Sequence, residues 1–525
     1  MMSSPGVPPR GGRKHVKASA AYTLDHLHRW QQGDRCTLWE SRGHHARRGQ
    51  GKQPTLEEKR ALATALAREG FDKKACNALL SQGLCPQTPA TTQALQSLHP
   101  AQAPPRVPQP AALPLAPELV PDGVARALRS FPLDTAPGPS GLRVQHLREA
   151  CAAGSTEAFL QQLCGVVNIL AQGQACDSVA PSLAGASLVA LPKHNGGVRP
   201  IAVGEILRRL TATCLMEVVR DEARQQFAPV QLGVTTPGGA EAAVHAARHW
   251  HDRNNGQSGK VLMKFDFKNA FNLVSRQAVL DSATSRFPAL ARWVTWCYKQ
   301  HSELYFGNTH LLSAGGVQQG DPLGPLLFAC ALHPLALDLR QGPLDLAFFY
   351  LDDGVIAGDV AFVGAALAHI LAKSAELGLH LNLDKSEVIS VGGTRHPDLV
   401  AHLPRELVLD GTGNSRVQTN FELLGAAVDA FIAAHAHNRA AAALPLLEAI
   451  GDWMTHRWAS AFFARVPAIA EWFTACGVPH LCRSLPVSRR LTRVCELALA
   501  ASPAFTPRTG SGSKRLVASI KRGLV

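Results

Sequence analysis

The chain has 525 residues, 46% of them hydrophobic and 18% charged, the balance of a folded globular protein with room for two or more domains. Lys and Arg number 53 against 40 acidic residues, and the +13 excess sits at the ends: residues 1–60 carry 12 basic and 5 acidic groups, residues 486–525 carry 8 and 1. The opening MMSSPGVPPRGGRKHVK lacks the apolar centre of a signal peptide, and no run of about 18 apolar residues appears that could span a bilayer as a helix, so a soluble protein is expected.

The basic ends suit arms that meet phosphate, where neutralisation releases counterions, and they equally suit solvated tails. Twelve cysteines are scattered without a C-x-x-C pair, and Cys476, His480 and Cys482 lack a fourth ligand at a usual zinc spacing. A reducing, intracellular setting is expected, and RGGRKHVK, a candidate nuclear address, points to the nucleus. The 22 histidines, His435 and His437 among them, show no partner spacing and read as surface residues.

In chain order, residues 1–85 form a basic extension ending in a helical unit from about 54, with acidic residues near its start and a break at Gly83 and Pro86. Residues 86–122 are rich in proline and read as an extended linker. From 123 to 430 the pattern is that of an α/β (α+β) fold. A helix over 205–226 is expected to bury the stripe Leu207, Leu210, Cys214 and Val218, and one over 288–300 to bury Leu290, Trp293, Val294, Cys297 and Tyr298. Residues 431–525 read as helices followed by a basic tail.

Two acidic β segments stand out. In VLMKFDFKNAFNLVS, Val261, Met263, Phe265 and Phe267 alternate with Leu262, Lys264 and Asp266, so the strand has one apolar face and Asp266 lies on the other. In LAFFYLDDGVIAG, two apolar runs flank Asp352, Asp353 and Gly354, a hairpin with carboxylates at its turn. Alternation counted along 346–353 sets Asp353 opposite Asp352. Clustered carboxylates repel by about 4 kcal/mol per pair at roughly 4 Å and an effective dielectric near 20, and a hard cation such as Mg²⁺ resolves the conflict if the segments are neighbours.

KFDFKNAFN, GGVQQGDPLGPLLFACAL and FFYLDDGVI occur in that order, and on these blocks the chain resembles the reverse transcriptases of non-LTR (LINE-type) retrotransposons over about residues 123–430. The resemblance implies a right-hand polymerase: fingers and palm over 123–430, a helical thumb over 431–525, and a helical N-terminal extension. APGPSGLRVQHL is similar to the family's opening block, and LVALPKHNGGVRPIAV to the fingers hairpin, which makes Lys193 and Arg199 candidates for the nucleotide triphosphate. Those two residues also suit an ordinary charged turn.

The resemblance further implies Asp266, Asp352 and Asp353 as metal ligands and catalytic residues, and the alternation along 346–353 makes Asp353 the weakest of the three. Phe271 is the implied steric gate against a 2′-hydroxyl, Gln319 and Gly320 face template and nascent pair, and Lys385 is a general acid for the leaving pyrophosphate. FELLGAAV at 421–428 is similar to the primer-gripping block. The expected activity is RNA-directed DNA synthesis, with two Mg²⁺ ions or Mn²⁺ as cofactor and an RNA template, a DNA primer and dNTPs as partners. An inactive nucleic-acid-binding remnant and an RNA-directed RNA polymerase stay open as alternatives. Elements of this kind usually encode an endonuclease; 122 residues before the palm are too few for the upstream type and the C-terminal portion has no complete zinc-knuckle spacing of the downstream type, so a fragment, or a domesticated or degenerate copy, is expected, with any endonuclease as a separate domain or protein.

Overall fold

The computed structural model describes residues 55–428 except 69–71, 81–82, 133–134, 153–155, 194–195 and 393–395, together with a few residues between 25 and 34. The expected thumb over 431–525, the candidate nuclear address, Asn195 in the fingers turn, His435, His437 and the Cys476 group lie outside the described residues.

The expected helical unit is present as α1 (Leu56–Arg68) and α2 (Asp72–Leu80). The expected linker is not a linker. It begins with α3 (Pro89–Leu98), capped by Thr88, whose hydroxyl accepts the Thr91 N–H, with Pro89 in the first turn where its missing N–H costs nothing.

Beyond α3 the chain stays extended but is tied down. The Gln277 carboxamide bonds both the N–H and the carbonyl of Arg106 (2.7 and 3.2 Å), Gln172 does the same for Ala116 (3.1 and 2.7 Å), and Asn168 for Leu119 (2.9 Å each). Proline bars backbone ladders, but a side-chain amide offers the same donor and acceptor as a peptide group, so this strap buries Leu113, Ala116 and Leu119 without strand partners. Helices α4 (Pro121–Ser130), α5 (Val144–Ala152) and α6 (Thr156–Ala171) follow.

The remainder mixes helices with two four-stranded sheets. In chain order come β1 (Ala186–Pro192), β2 (Val198–Gly204), α7 (Ile206–Phe227), α8 (Gly239–Asn254), β3 (Lys260–Phe265), α9 (Arg276–Arg286), α10 (Ala291–Tyr298), β4 (Ser302–Phe306), β5 (Thr309–Ser313) and α11 (Gly324–Gln341). Then follow β6 (Leu346–Tyr350), β7 (Asp353–Asp359), α12 (Val360–Glu376), β8 (Glu387–Ser390), β9 (Phe421–Leu423) and β10 (Ala426–Val428).

The first sheet has the order β2-β1-β4-β5, with β1 and β4 parallel; the second has the order β6-β7-β3-β8 and is antiparallel throughout. Both faces of the second sheet are covered. Val261, Met263, Phe265, Phe349 and Ile356 join the main core, while Leu262, Phe348, Val355 and Ile389 pack with Trp250 of α8 and with Phe421 and Leu423 of β9. Helix α11 is buried along most of its length, as expected for a helix apolar on all sides.

The expected stripe on α7 is corrected at one position: Leu210 and Cys214 are buried as expected and Leu207 packs half-buried against the core. Val218 is 41% exposed, whereas Arg208, Thr211, Leu215 and Val219 are buried. An arginine and a threonine thus share the inward face of α7 with Leu210, Cys214 and Leu215. The helix at 291–298 buries the expected Trp293, Val294, Cys297 and Tyr298.

Candidate active site

The second sheet brings the two acidic segments together. Strand β3 pairs with β7 in the register Phe265↔Gly354, so Asp266 stands one residue past the last pair, level with Asp353. Tyr350 pairs with Asp353, which leaves Leu351 and Asp352 as a two-residue hairpin turn. That turn interrupts the alternation along 346–353. Asp353 stands within the influence of both neighbouring carboxylates, whose charges raise its pKa.

Glycine is required at 354. A Cβ there would fall 2.1 Å from the Phe265 ring, which lies across the hairpin and meets Phe349 edge-on at 5.6 Å.

The chain beyond β3 is held by the segment before β8. The Asn382 N–H donates to the Asp266 carbonyl (2.8 Å), the Lys268 N–H to the His380 carbonyl (2.8 Å), and Phe267 bridges Leu381. Lys385 follows in a turn at Asn382 and sets its ammonium 3.1 Å from Asp266 Oδ2.

Partial burial raises the Asp352 carboxyl above the usual carboxylate range, and the Asp266 charge adds to this. Asp353 is open to solvent at its side-chain surface, yet the protein crowding the strand end and the charges of Asp352 and Asp266 push it up to about 6, with Lys264 and Lys385 opposing. The trio is therefore short of positive charge, and Lys385 supplies part of it. Among the described residues no group of three or more His, Cys, Asp or Glu closes into a metal cage. An open set of carboxylate oxygens is the donor chemistry that suits Mg²⁺, which takes one or two protein carboxylates and completes its shell with water and phosphate. On that ground the residues fit the expected ion.

Phe271 lies on a short helix, Ala270–Leu273, with its ring stacked on Phe328 of α11 at 4.8 Å. The loop carrying Gln319 and Gly320 is hydrogen-bonded to this helix: the Val317 N–H donates to the Phe271 carbonyl (2.7 Å) and the Gly316 N–H to the Val274 carbonyl (3.0 Å). Gly320 presses on β2, since a Cβ there would sit 2.6 Å from the Ala202 carbonyl. Gln319 and Gly320 are exposed. The loop thus joins the first sheet to the Phe271 segment.

Lys193 and Arg199 flank the β1–β2 turn, with Arg199 opposite Leu191. Among the described residues neither forms an ion pair or touches the aspartates. The opening block packs on the far end of β2, where Ser140 donates from its N–H and hydroxyl to the Glu205 carboxylate, both at 2.6 Å. The 421–428 block is the β9–β10 hairpin, and Lys264, beside Asp353, reaches it by donating to the Glu422 carbonyl (2.6 Å).

Three supporting groups escape sequence reasoning: Gln231, the pair Arg208 and Asp321, and Arg276, which donates to the carbonyls of Gly316, Gln300 and Ser313. For Gln231 the sequence signal is a polar residue inside an apolar stretch, PVQLGV.

A protein-family model described as "Reverse transcriptase (RNA-dependent DNA polymerase)" matches residues 191–428, a little under half of the chain and inside the expected 123–430. No curated protein matches the sequence. Among solved structures the chain is similar to telomerase from Candida albicans with a fragment of telomeric RNA, at 10% identity and a TM-score of 0.35, covering 65% of this chain and 66% of that one. It is likewise similar to apo telomerase from Candida tropicalis, at 11% identity and a TM-score of 0.33, covering 61% of each chain. The chain therefore spans just under two thirds of these telomerases. Among the described residues no helix is long and apolar enough to cross a membrane. Residues 191–428 thus form a domain of the reverse transcriptase (RNA-dependent DNA polymerase) family.

Proposed function

We propose that the chain is an RNA-directed DNA polymerase of the non-LTR retroelement type that extends a DNA primer on an RNA template with dNTPs. The observation that carries this reading is the convergence of Asp266, Asp352 and Asp353 at one end of the β3–β7 ladder, inside the family match. Asp266, Asp352 and Asp353 would hold divalent ions, Mg²⁺ by the hardness of the donors or Mn²⁺ in its place. Such ions, when bound, activate the primer hydroxyl and offset charge on the phosphates.

The chain's own groups do the rest. Lys193 and Arg199 neutralise the triphosphate from the fingers turn, and Phe271, fixed by its stack on Phe328, leaves no room for a 2′-hydroxyl. Gln319 and Gly320 border the template and the nascent pair. Lys385, paired with Asp266 in the free protein, donates a proton to the departing pyrophosphate. The protein acts in the nucleus, with any endonuclease supplied by a separate domain or protein.

The test offers the full chain a poly(rA) template, an oligo(dT) primer, Mg²⁺, and dTTP or UTP. Incorporation of dTTP alone is expected, and Asp352→Asn should lower it by more than about 10²-fold with folding intact. Retained activity in Asp352→Asn overturns the ligand assignment; incorporation of UTP alone, or of neither nucleotide, overturns the reading itself.

A further inference from the structure

Leu351 is the first residue of the carboxylate hairpin turn and has φ +58°, in the left-handed region where glycine, asparagine and aspartate are normal and a γ-branched residue is not. Something outside the hairpin must hold it there. The segment after α7 pairs with the outer edge of β6: the Leu232 N–H donates to the Phe349 carbonyl and the Phe349 N–H to the Val230 carbonyl, both at 2.8 Å, a parallel bridge with Gln231 at its centre.

The Gln231 side chain, 2% exposed, reaches past the strand end to the turn. Its Oε1 accepts the N–H of Leu351 (2.8 Å) and of Gly233 (3.0 Å), and its Nε2 donates to the Leu351 carbonyl (3.1 Å). Both backbone groups of the left-handed residue are thus held by one buried carboxamide. The approach is close enough to require glycine at 233, where a Cβ would lie 2.7 Å from the Leu351 nitrogen.

We infer that Gln231 is a positioning residue that clamps Leu351 in its left-handed conformation and thereby sets the direction in which the next residue, Asp352, presents its carboxylate. This rests on the proposed role of Asp352. A polar group that merely satisfies a buried loop would hold any residue at 351 equally well. A conformational clamp is needed only while residue 351 resists positive φ, and glycine does not.

The experiment is a double-mutant cycle on the full chain with Gln231→Met and Leu351→Gly, read by primer extension with dTTP and by amide hydrogen exchange over 349–354. Gln231→Met should lower kcat roughly tenfold or more, with KM within about twofold, because a misdirected group costs rate more than binding. It should also speed exchange over 349–354 while 260–265 stays protected. With Leu351→Gly already present, Gln231→Met should change kcat less than about twofold.

An equal loss on the leucine and glycine backgrounds overturns the clamp, as does unchanged exchange over 349–354. Should Gln231→Met alone fail to fold, recovery of the fold by Leu351→Gly supports the clamp, and failure of both variants to fold overturns it. If the wild-type chain incorporates no nucleotide, the polymerase reading falls, and the exchange comparison still decides the clamp.

Discussion

Replacing Arg208 by methionine isolates the buried network that fixes the loop before α11. The Arg208 and Asp321 side chains are 1% and 3% exposed, with Nε donating to Oδ2 at 2.6 Å. The other guanidinium nitrogens donate to the Ala184 carbonyl and, at 3.0 Å, to the Tyr298 hydroxyl, which also accepts the Gln318 N–H. Methionine fills much of the volume but leaves the Asp321 carboxylate buried with, among the described residues, only the Leu323 N–H as donor. Removing one partner of a buried pair costs about 3–5 kcal/mol, largely through the stranded charge. For a domain of this size that lowers Tm by roughly 10 °C. Arg208→Met with Asp321→Asn removes that charge and keeps the acceptor for Leu323, so more than half of the loss should return. Urea and thermal unfolding of wild type, single and double variants measure this. A single variant within about 1 kcal/mol of wild type, or a double variant no more stable than the single, refutes the reasoning.

Two further outcomes are expected. His333 on α11 is buried against Phe227 at 5.3 Å, and burial, with Arg286 adding, lowers its pKa to about 4. The folded-state value lies below the unfolded value near 6.5, so the ring is neutral in both states above that pH. As pH falls from about 6.5 towards 4, only the unfolded chain gains the proton, and stability drops by about 2 kcal/mol by pH 5. In His333→Leu this part of the drop should vanish, as urea midpoints at pH 7.5 and 5 will show; equal losses in both proteins contradict it. Phe271→Ala should raise UTP incorporation relative to dTTP by about tenfold or more, since the stacked ring is the proposed barrier to the 2′-hydroxyl. An unchanged UTP to dTTP ratio removes Phe271 from that role.

What the sequence made legible is what depends on neighbours in the chain. The β3 strand and the hairpin around Asp352 and Asp353 follow from short-range alternation and turn residues, and the β1–β2 hairpin from the resemblance of its block. What stayed hidden depends on distant partners. Arg208 meets Asp321 across 113 positions, Gln231 meets Leu351 across 120, and Lys385 meets Asp266 across 119. The polar part of the inward face of α7 is hidden for the same reason, because Arg208 is buried against Asp321 and Tyr298, both distant in the chain. The proline-rich strap escaped because its hydrogen bonds go to Gln172, Asn168 and Gln277, which no local pattern links to it. For the aspartate trio, proximity rests on the β3–β7 register, which neither segment specifies alone.

Among the described residues four non-glycine residues have positive φ: Thr235, Asn269, Leu351 and Leu424. Two of these border the carboxylates, Asn269 three positions after Asp266 and Leu351 one before Asp352. Such conformations cost of order 1–3 kcal/mol and persist only where the surroundings over-determine them. At Leu351 the surroundings are the Gln231 carboxamide. At Asn269 they are its own side chain, whose Nδ2 donates to the Leu98 carbonyl at the end of α3 (2.7 Å) and whose Oδ1 accepts the Asn272 amide (2.8 Å). Leu98 precedes the family match by many residues, yet it anchors the turn between Asp266 and Phe271. The geometry of the candidate site is therefore set partly by a segment whose composition reads as a spacer, which makes α3 a structural part of the proposed catalytic unit.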